Sequence, residues 1–284
     1  MFKTYYQLTK PGIIYGNAIT AMAGFFLAAN GDINFKLFFS MLIGLSLVIA
    51  AGCVFNNVYD SKIDSLMDRT KNRAMATGKI SKTSAIIFAV ILLILGITDF
   101  LLFTLYFSLF SALLGFLVYV FLYTPLKHKT VYATLIGAIA GATPPVVGYT
   151  AVANKFDTGA IILFIILVLW QMPHFYAIAI YRLKDYAAAS IPVLPIKSGI
   201  KTTKIHMMVY IIGFIIAVAS LTYYKITGYT YLAVAIILSL IWLRYASQGF
   251  STLDNTLWAK KMFRFSLIVL TCLSLILALN SVLP

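Results

Sequence analysis

The segment NNVYDSKIDSLMDRTKNR, residues 56–73, gathers the residue types that metal and phosphate chemistry require. The chain has eight acidic residues, all Asp, and three of them, Asp60, Asp64 and Asp68, stand four residues apart here. On a helix, Asn56, Asp60, Asp64 and Asp68 form one stripe, each about 6 Å along the axis from the last. Carboxylates so placed repel one another unless a cation lies between them. Arg69, Lys71 and Arg73 follow at once. Acid beside base suits a ligand that is anionic and carries a metal. Mg²⁺ binds through one or two carboxylates plus phosphate oxygens, and basic side chains hold the remaining phosphate charge. The plainer alternative is a solvated helix end with local ion pairs.

A second stretch, YRLKDYAAASIPVLPIKSG, supplies Asp185 with Arg182, Lys184 and Lys197, so the two segments hold half of the acid. His174 stands eleven residues before Asp185. On one continuous helix, residues 174, 178, 181 and 185 share a face, and His174 lies about 16 Å along the axis from Asp185. An ionisable residue in an apolar span is a functional hypothesis, with a hydrogen-bonded packing histidine as its alternative. Pro173 removes a backbone donor and is expected to kink that helix. His128 reads as a loop residue and His206 as an interfacial one.

These residues sit in a chain that is 62% hydrophobic and 11% charged. A water-soluble domain needs more polar surface, and the repeated apolar runs have membrane-spanning length. The expected fold is all-α, a polytopic membrane protein of about nine transmembrane helices around a central cavity. Proposed spans are 12–30, 35–57, 83–99, 103–124, 131–151, 158–181, 203–224, 229–248 and 262–283. The third and fourth divide one long apolar region near Asp99. A single transmembrane domain over 1–284 then carries its Asp-containing loops at about 58–82 and 182–202. Cys53 and Cys272 both lie in apolar runs and read as small hydrophobes, not a disulfide or metal pair.

Basic residues orient the bundle. Of 22 Lys and Arg, only Lys36, Lys155 and Lys225 fall on the side opposite the N-terminus. That bias places the N-terminus and both acidic loops in the cytoplasm. The net charge of +14 therefore belongs to membrane-flanking loops rather than to nucleic-acid binding. A cleaved signal peptide over the first span is the weaker reading, and no Arg-rich, Ser-rich leader of the mitochondrial kind precedes it. A bacterial plasma (inner) membrane is expected, with the first ten residues as a short tail. Gly137 and Gly141 share a helix face suited to close packing. Pro144 and Pro145 are expected to break or kink the fifth span.

The first segment resembles the first Asp-rich motif of the UbiA superfamily of intramembrane prenyltransferases, Asn-Asp-x-x-Asp-x-x-x-Asp. Here it is Asn56, Asn57, Asp60 and Asp64. The closer similarity is to the protoheme IX farnesyltransferase (heme O synthase) family within it. The features shared with that family are the Asn-Asn form, RTKNR (69–73), YTPLK (123–127), WQMPHF (170–175) and KDYAAASIPVLP (184–195). They run in order through nearly the whole chain. Two carboxylates common elsewhere in the superfamily are absent, at Asn57 and Ala189, as in the heme branch.

The resemblance implies Mg²⁺-dependent transfer of the farnesyl group of farnesyl diphosphate to a vinyl group of protoheme IX (heme b), with water addition, in the lipid bilayer. Asp60, Asp64 and Asp185 are then the catalytic carboxylates, with Asn56 joining them as metal ligands. Lys71, Arg73, Tyr123, Lys127, Arg182 and Lys184 become diphosphate contacts, with an interfacial aromatic as the alternative for Tyr123. Asp68 ranks lower, lying one turn past the motif. His174 becomes the heme contact, with iron ligation and propionate contact both open. Partners in heme handling or terminal-oxidase assembly are implied as well. Two other readings stand beside this one: prenylation of an aromatic quinone precursor, and transport of an anionic substrate. Charge gathered on one side only, rather than along a two-sided pathway, disfavours the transporter.

Overall fold

The structure is a computed structural model and describes residues 2–282. Among these, every regular element is helical. A short helix, α1 (Phe2–Leu8), precedes α2 (Pro11–Ala29) and α3 (Phe35–Asp64). Next come α4 (Lys82–Phe103), α5 (Tyr106–Leu117), a π-helical turn Val118–Tyr123, and α6 (Thr124–Leu126). A broken pair, α7 (Ala133–Gly141) and α8 (Thr143–Ala153), leads to α9 (Thr158–Tyr181). Two short helices, α10 (Leu183–Ala188) and α11 (Leu194–Lys197), precede α12 (Gly199–Tyr223), α13 (Tyr229–Gln248) and α14 (Asn255–Ala278). Among the described residues, nine helical segments are long and apolar enough to cross a membrane. The expected number of spans is met.

Span ends depart from expectation where polar residues continue a helix inside protein. Expected to stop at 57, α3 runs on to Asp64, because Asn56, Asn57, Asp60, Ser61 and Asp64 are buried against other helices rather than lipid. The stripe therefore lies on the last turns of α3, not in a loop. Beyond Ser65 the chain turns repeatedly, so Asp68 leaves the stripe. The division of the third and fourth spans falls at Thr104–Leu105, where both residues turn extended, and Asp99 stays inside α4. The last span starts earlier than 262, because Asp254 caps α14 by accepting from the N–H groups of Thr256 and Leu257 at 2.8 and 3.0 Å. Its expected end, residue 283, lies outside the described residues. The expected short tail before the first span contains α1.

Two apolar cores share α2 and α8. One includes Phe25, Met41, Val48 and Phe116, and the other Trp170, Met207, Phe214 and Trp242. The outer surface carries large exposed apolar side chains such as Ile94, Leu102, Ile216 and Ile237, a belt suited to lipid. The fifth span breaks at Ala142, where prolines open the first turn of α8. Pro173, by contrast, lies inside α9 without interrupting it.

Candidate active site

Between the two cores lies a cavity of about 590 Å³. Its lining changes character with depth. At the end where α3 terminates it is charged and polar, with Lys10, Asp60, Asp64, Arg73, Lys127 and His128. Down α3 it continues through Gly52, Val48 and Leu45. Eleven residues at 1.5 Å each put Leu45 about 16 Å beyond Asn56. The deeper wall is completed by Leu167, Trp170, His174 and Leu270.

Each polar residue of the stripe has a basic partner from elsewhere in the chain. Asn56 Oδ1 accepts from Lys10 Nζ, while its Nδ2 donates to Thr124 Oγ1 at 2.9 Å. Asp60 pairs with Lys127 through one oxygen and with His128 Nε2 at 3.2 Å through the other. Arg73 Nη1 donates to both oxygens of Asp64, at 3.1 and 2.9 Å. Two carboxylates and three cationic side chains thus meet around an open volume, with one positive charge in excess. A ligand that is part cation and part anion can take both roles at once: its metal goes to the carboxylates and its anionic oxygens to the ammonium and guanidinium groups.

Local sequence explains how these partners arrive. Lys10 precedes Pro11, the first residue of α2, and holds a left-handed φ of 53°. Burial lowers its ammonium to about 8, with Arg73 and Lys127 pushing the same way and Asp60 opposing. Lys127 is likewise lowered by burial, partly offset by Asp60. The π-helical turn sends both Tyr119 and Tyr123 into the cavity, stacked at 5.5 Å. Thr124, next in line, donates to the Tyr119 carbonyl at 2.8 Å and so ties the turn to Asn56. At Gly141 a Cβ would fall 2.1 Å from Gln171 Oε1, so a larger residue at this position of α7 would displace the Gln171 amide.

Asn57 stands outside the cavity. Its amide donates to the Leu8 carbonyl at 2.7 Å, the end of α1. An ionised Asp could not make that bond, having no donor. The departure from the superfamily pattern thus has a structural use here.

The structure does not bring every expected residue to the lining. Lys71 is exposed and bound to the still more exposed Asp68 at 2.7 Å, because both lie past the end of α3. That bond lowers Asp68 and raises Lys71. The helix carrying His174 ends at Tyr181 and breaks at Arg182, so Asp185 does not continue the face of His174. Asp185 pairs with Arg182 at 3.7 Å, Lys184 is exposed, and of that segment Tyr186, Ile191, Pro192 and Val193 reach the cavity. Burial raises the Tyr186 hydroxyl. The expected set therefore divides. Asn56, Asp60, Asp64, Arg73, Tyr123, Lys127 and His174 line the cavity, whereas Lys71, Arg182, Lys184 and Asp185 do not. Arg69, grouped with Arg73 in the sequence as a basic neighbour of the stripe, joins it, and so do Lys10, Tyr119, His128 and Tyr186, which had not been singled out for it. A lysine wedged before a helix-starting proline at a span end was a signal available for Lys10. His128, adjoining Lys127 in the YTPLK stretch, was another.

Residues 17–268 match the UbiA prenyltransferase family. The chain belongs to that family. It is 50% identical over 286 residues to the protoheme IX farnesyltransferase of Sodalis glossinidius, covering 100% of this chain and 96% of the relative. It is also 50% identical to the protein of that name from Protochlamydia amoebophila, covering 97% of each. Its fold is similar to a solved digeranylgeranylglyceryl phosphate synthase, with a TM-score of 0.83 at 22% identity over 99% of this chain and 98% of the other. A UbiA homolog from Archaeoglobus fulgidus, solved with GPP and Mg²⁺, superposes with a TM-score of 0.71 at 14% identity, covering 97% and 99%. In this UbiA member, no group of three or more His, Cys, Asp or Glu among the described residues forms a metal cage. The donor set of Asp60 and Asp64 fits a metal that arrives with its own phosphate oxygens.

Proposed function

We propose that this UbiA-family protein transfers the farnesyl group of farnesyl diphosphate to a vinyl group of heme b, giving heme O and diphosphate. The observation that carries the reading is the shape of one cavity: a charged cradle at its mouth and an apolar wall bearing His174 below. The acceptor is taken from the relatives at 50% identity, both named for protoheme IX farnesyl transfer. The diphosphate lies at the mouth, where Lys10, Arg73 and Lys127 turn from Asn56, Asp64 and Asp60 to its oxygens. Asp60 and Asp64, with Asn56 beside them, would hold Mg²⁺, which would supply positive charge at the leaving group. Asn56 Oδ1, which accepts from Lys10, has a second lone pair for such ligation. Asp185, Arg182 and Lys184 adjoin the site through Tyr186 and are proposed to engage the diphosphate from the opposite rim, with Lys71 as an outer attractor.

As the C1–O bond breaks, negative charge builds on the diphosphate, and the basic ring stabilises it where it develops. Positive charge builds on the allylic carbon, which the stacked faces of Tyr119 and Tyr123 are placed to stabilise. Apolar walls exclude water at that stage. Next, the vinyl carbon bonds to farnesyl C1. Water then adds to the cation beside the macrocycle and loses a proton, leaving a hydroxyl. No protein nucleophile takes part. The chain acts as one transmembrane domain in a bacterial inner membrane, with the mouth cytoplasmic. The charge bias of the loops supports that orientation.

The test offers purified protein farnesyl diphosphate and Mg²⁺ with either heme b or an aromatic quinone precursor. Farnesylated, hydrated heme with an unchanged aromatic acceptor is expected. The reverse result would assign the cavity to ring prenylation. Chelation should stop turnover and Mg²⁺ should restore it; full activity in metal-free buffer contradicts the metal reading.

A further inference from the structure

The hydrogen bonds behind His174 decide which of its nitrogens carries the proton. Ser266 on α14 is fully buried, and its hydroxyl donates to the Phe263 carbonyl at 2.6 Å. A hydroxyl has a single proton to give. Toward His174 Nδ1, 2.7 Å away, Ser266 Oγ must therefore accept. The imidazole is protonated at Nδ1, and its neutral form keeps the lone pair on Nε2.

The ring itself is held in plane. Trp170 stacks on it at 4.7 Å and Phe263 packs against it at 4.9 Å. Trp170 Nε1 in turn donates to the Ser266 carbonyl at 2.9 Å, so one turn of α14 anchors both rings. His174 lines the cavity, and Nε2 has no protein partner among the described residues. Seven residues before the end of α9, it lies about 10 Å below that end.

This arrangement separates two ways of holding a heme. A propionate needs a donor, and the Nε2 lone pair would repel it. A metal centre needs that lone pair. We propose that His174 Nε2 is an axial ligand to the iron of the heme substrate, and that Ser266 is the positioning residue that fixes the ligating tautomer. An N–H partner behind a metal-bound imidazole orients the ring and raises its basicity. Ligation through iron pins the macrocycle at its centre while leaving a vinyl edge free to face the mouth. This rests on the heme reading above.

The experiment titrates ferric heme b into the purified wild type, His174→Ala, Ser266→Ala and Ser266→Thr, and follows the absorption spectrum. Binding of a farnesyl diphosphate analogue is measured alongside as the check on folding. The wild type should show a nitrogen-ligated heme. His174→Ala should lose that signature, and added imidazole should restore it. Ser266→Ala should weaken heme affinity by about 10- to 100-fold and shift the spectrum. Ser266→Thr, which keeps the hydroxyl, should lie nearer the wild type. An unchanged spectrum in His174→Ala with heme still bound overturns the ligation while leaving the heme reading intact. Weaker binding in Ser266→Ala with an unchanged spectrum overturns the tautomer role. A wild type that binds the farnesyl analogue but no heme brings down the heme reading, and the ligation with it.

Discussion

Each carboxylate of the α3 stripe faces a cation that a diphosphate can claim, and this exchange sets what substitutions should do. Asp60→Ala and Asp64→Ala should each lower kcat by at least about 100-fold, the scale of losing one group that stabilises developing charge. Steady-state rates at matched folded protein would measure it, and near-normal turnover would remove the residue from the metal site. Lys10 adds a pH dependence. Its ammonium, lowered to about 8, loses its charge as pH rises through that value in the free enzyme. The kcat/KM profile should therefore fall on the alkaline side from about pH 8, and Lys10→Arg should carry the plateau higher because a guanidinium stays charged. An identical limb in the variant would assign the titration elsewhere. The stripe was legible in the sequence because residues four apart on a helix share a face. Lys10 and Lys127 were harder to place, since they meet Asn56 and Asp60 across 46 and 67 residues of sequence.

Helix interlock is what carries these residues to one cavity. The tightest approach joins α2 and α8, where a Cβ on Gly148 would fall 1.9 Å from the Ala21 carbonyl oxygen. Backbone on both sides leaves nothing flexible to yield. Gly148→Ala should destabilise the folded protein by about 1–3 kcal/mol, seen as a lower Tm in detergent. Gly16→Ala, with nothing within 4 Å of the added carbon, serves as the neutral comparison. Equal Tm values would mean that α2 and α8 separate freely. Apolar run length revealed the spans, whereas their ends depended on what buries them. The last two turns of α3 look like loop by composition, yet Asn56, Asp60 and Asp64 are buried inside the protein, where they line the cavity. The break at Arg182 is hidden in the same way, because residues 174–185 keep a helical pattern through it.

At the scale of the whole molecule, a charged mouth opens on a largely apolar bundle. With Lys36, Lys155 and Lys225 as the exceptions among 22 Lys and Arg, the proposed orientation puts that mouth in the cytoplasm. Cysteines at the exposed Ser65 and Ser198, in a chain lacking Cys53 and Cys272, should resist an impermeant thiol reagent outside intact cells. Ready labelling from outside would invert the topology. The most direct measurement is a structure with a non-reactive farnesyl diphosphate analogue and Mn²⁺ in place of Mg²⁺, the metal located by its anomalous scattering. The metal should lie between Asp60, Asp64 and the diphosphate oxygens, with Lys10, Arg73 and Lys127 turned onto those oxygens and the farnesyl chain in the apolar wall. A diphosphate bound elsewhere, with the Asp60–Lys127 and Asp64–Arg73 pairs intact, would contradict it.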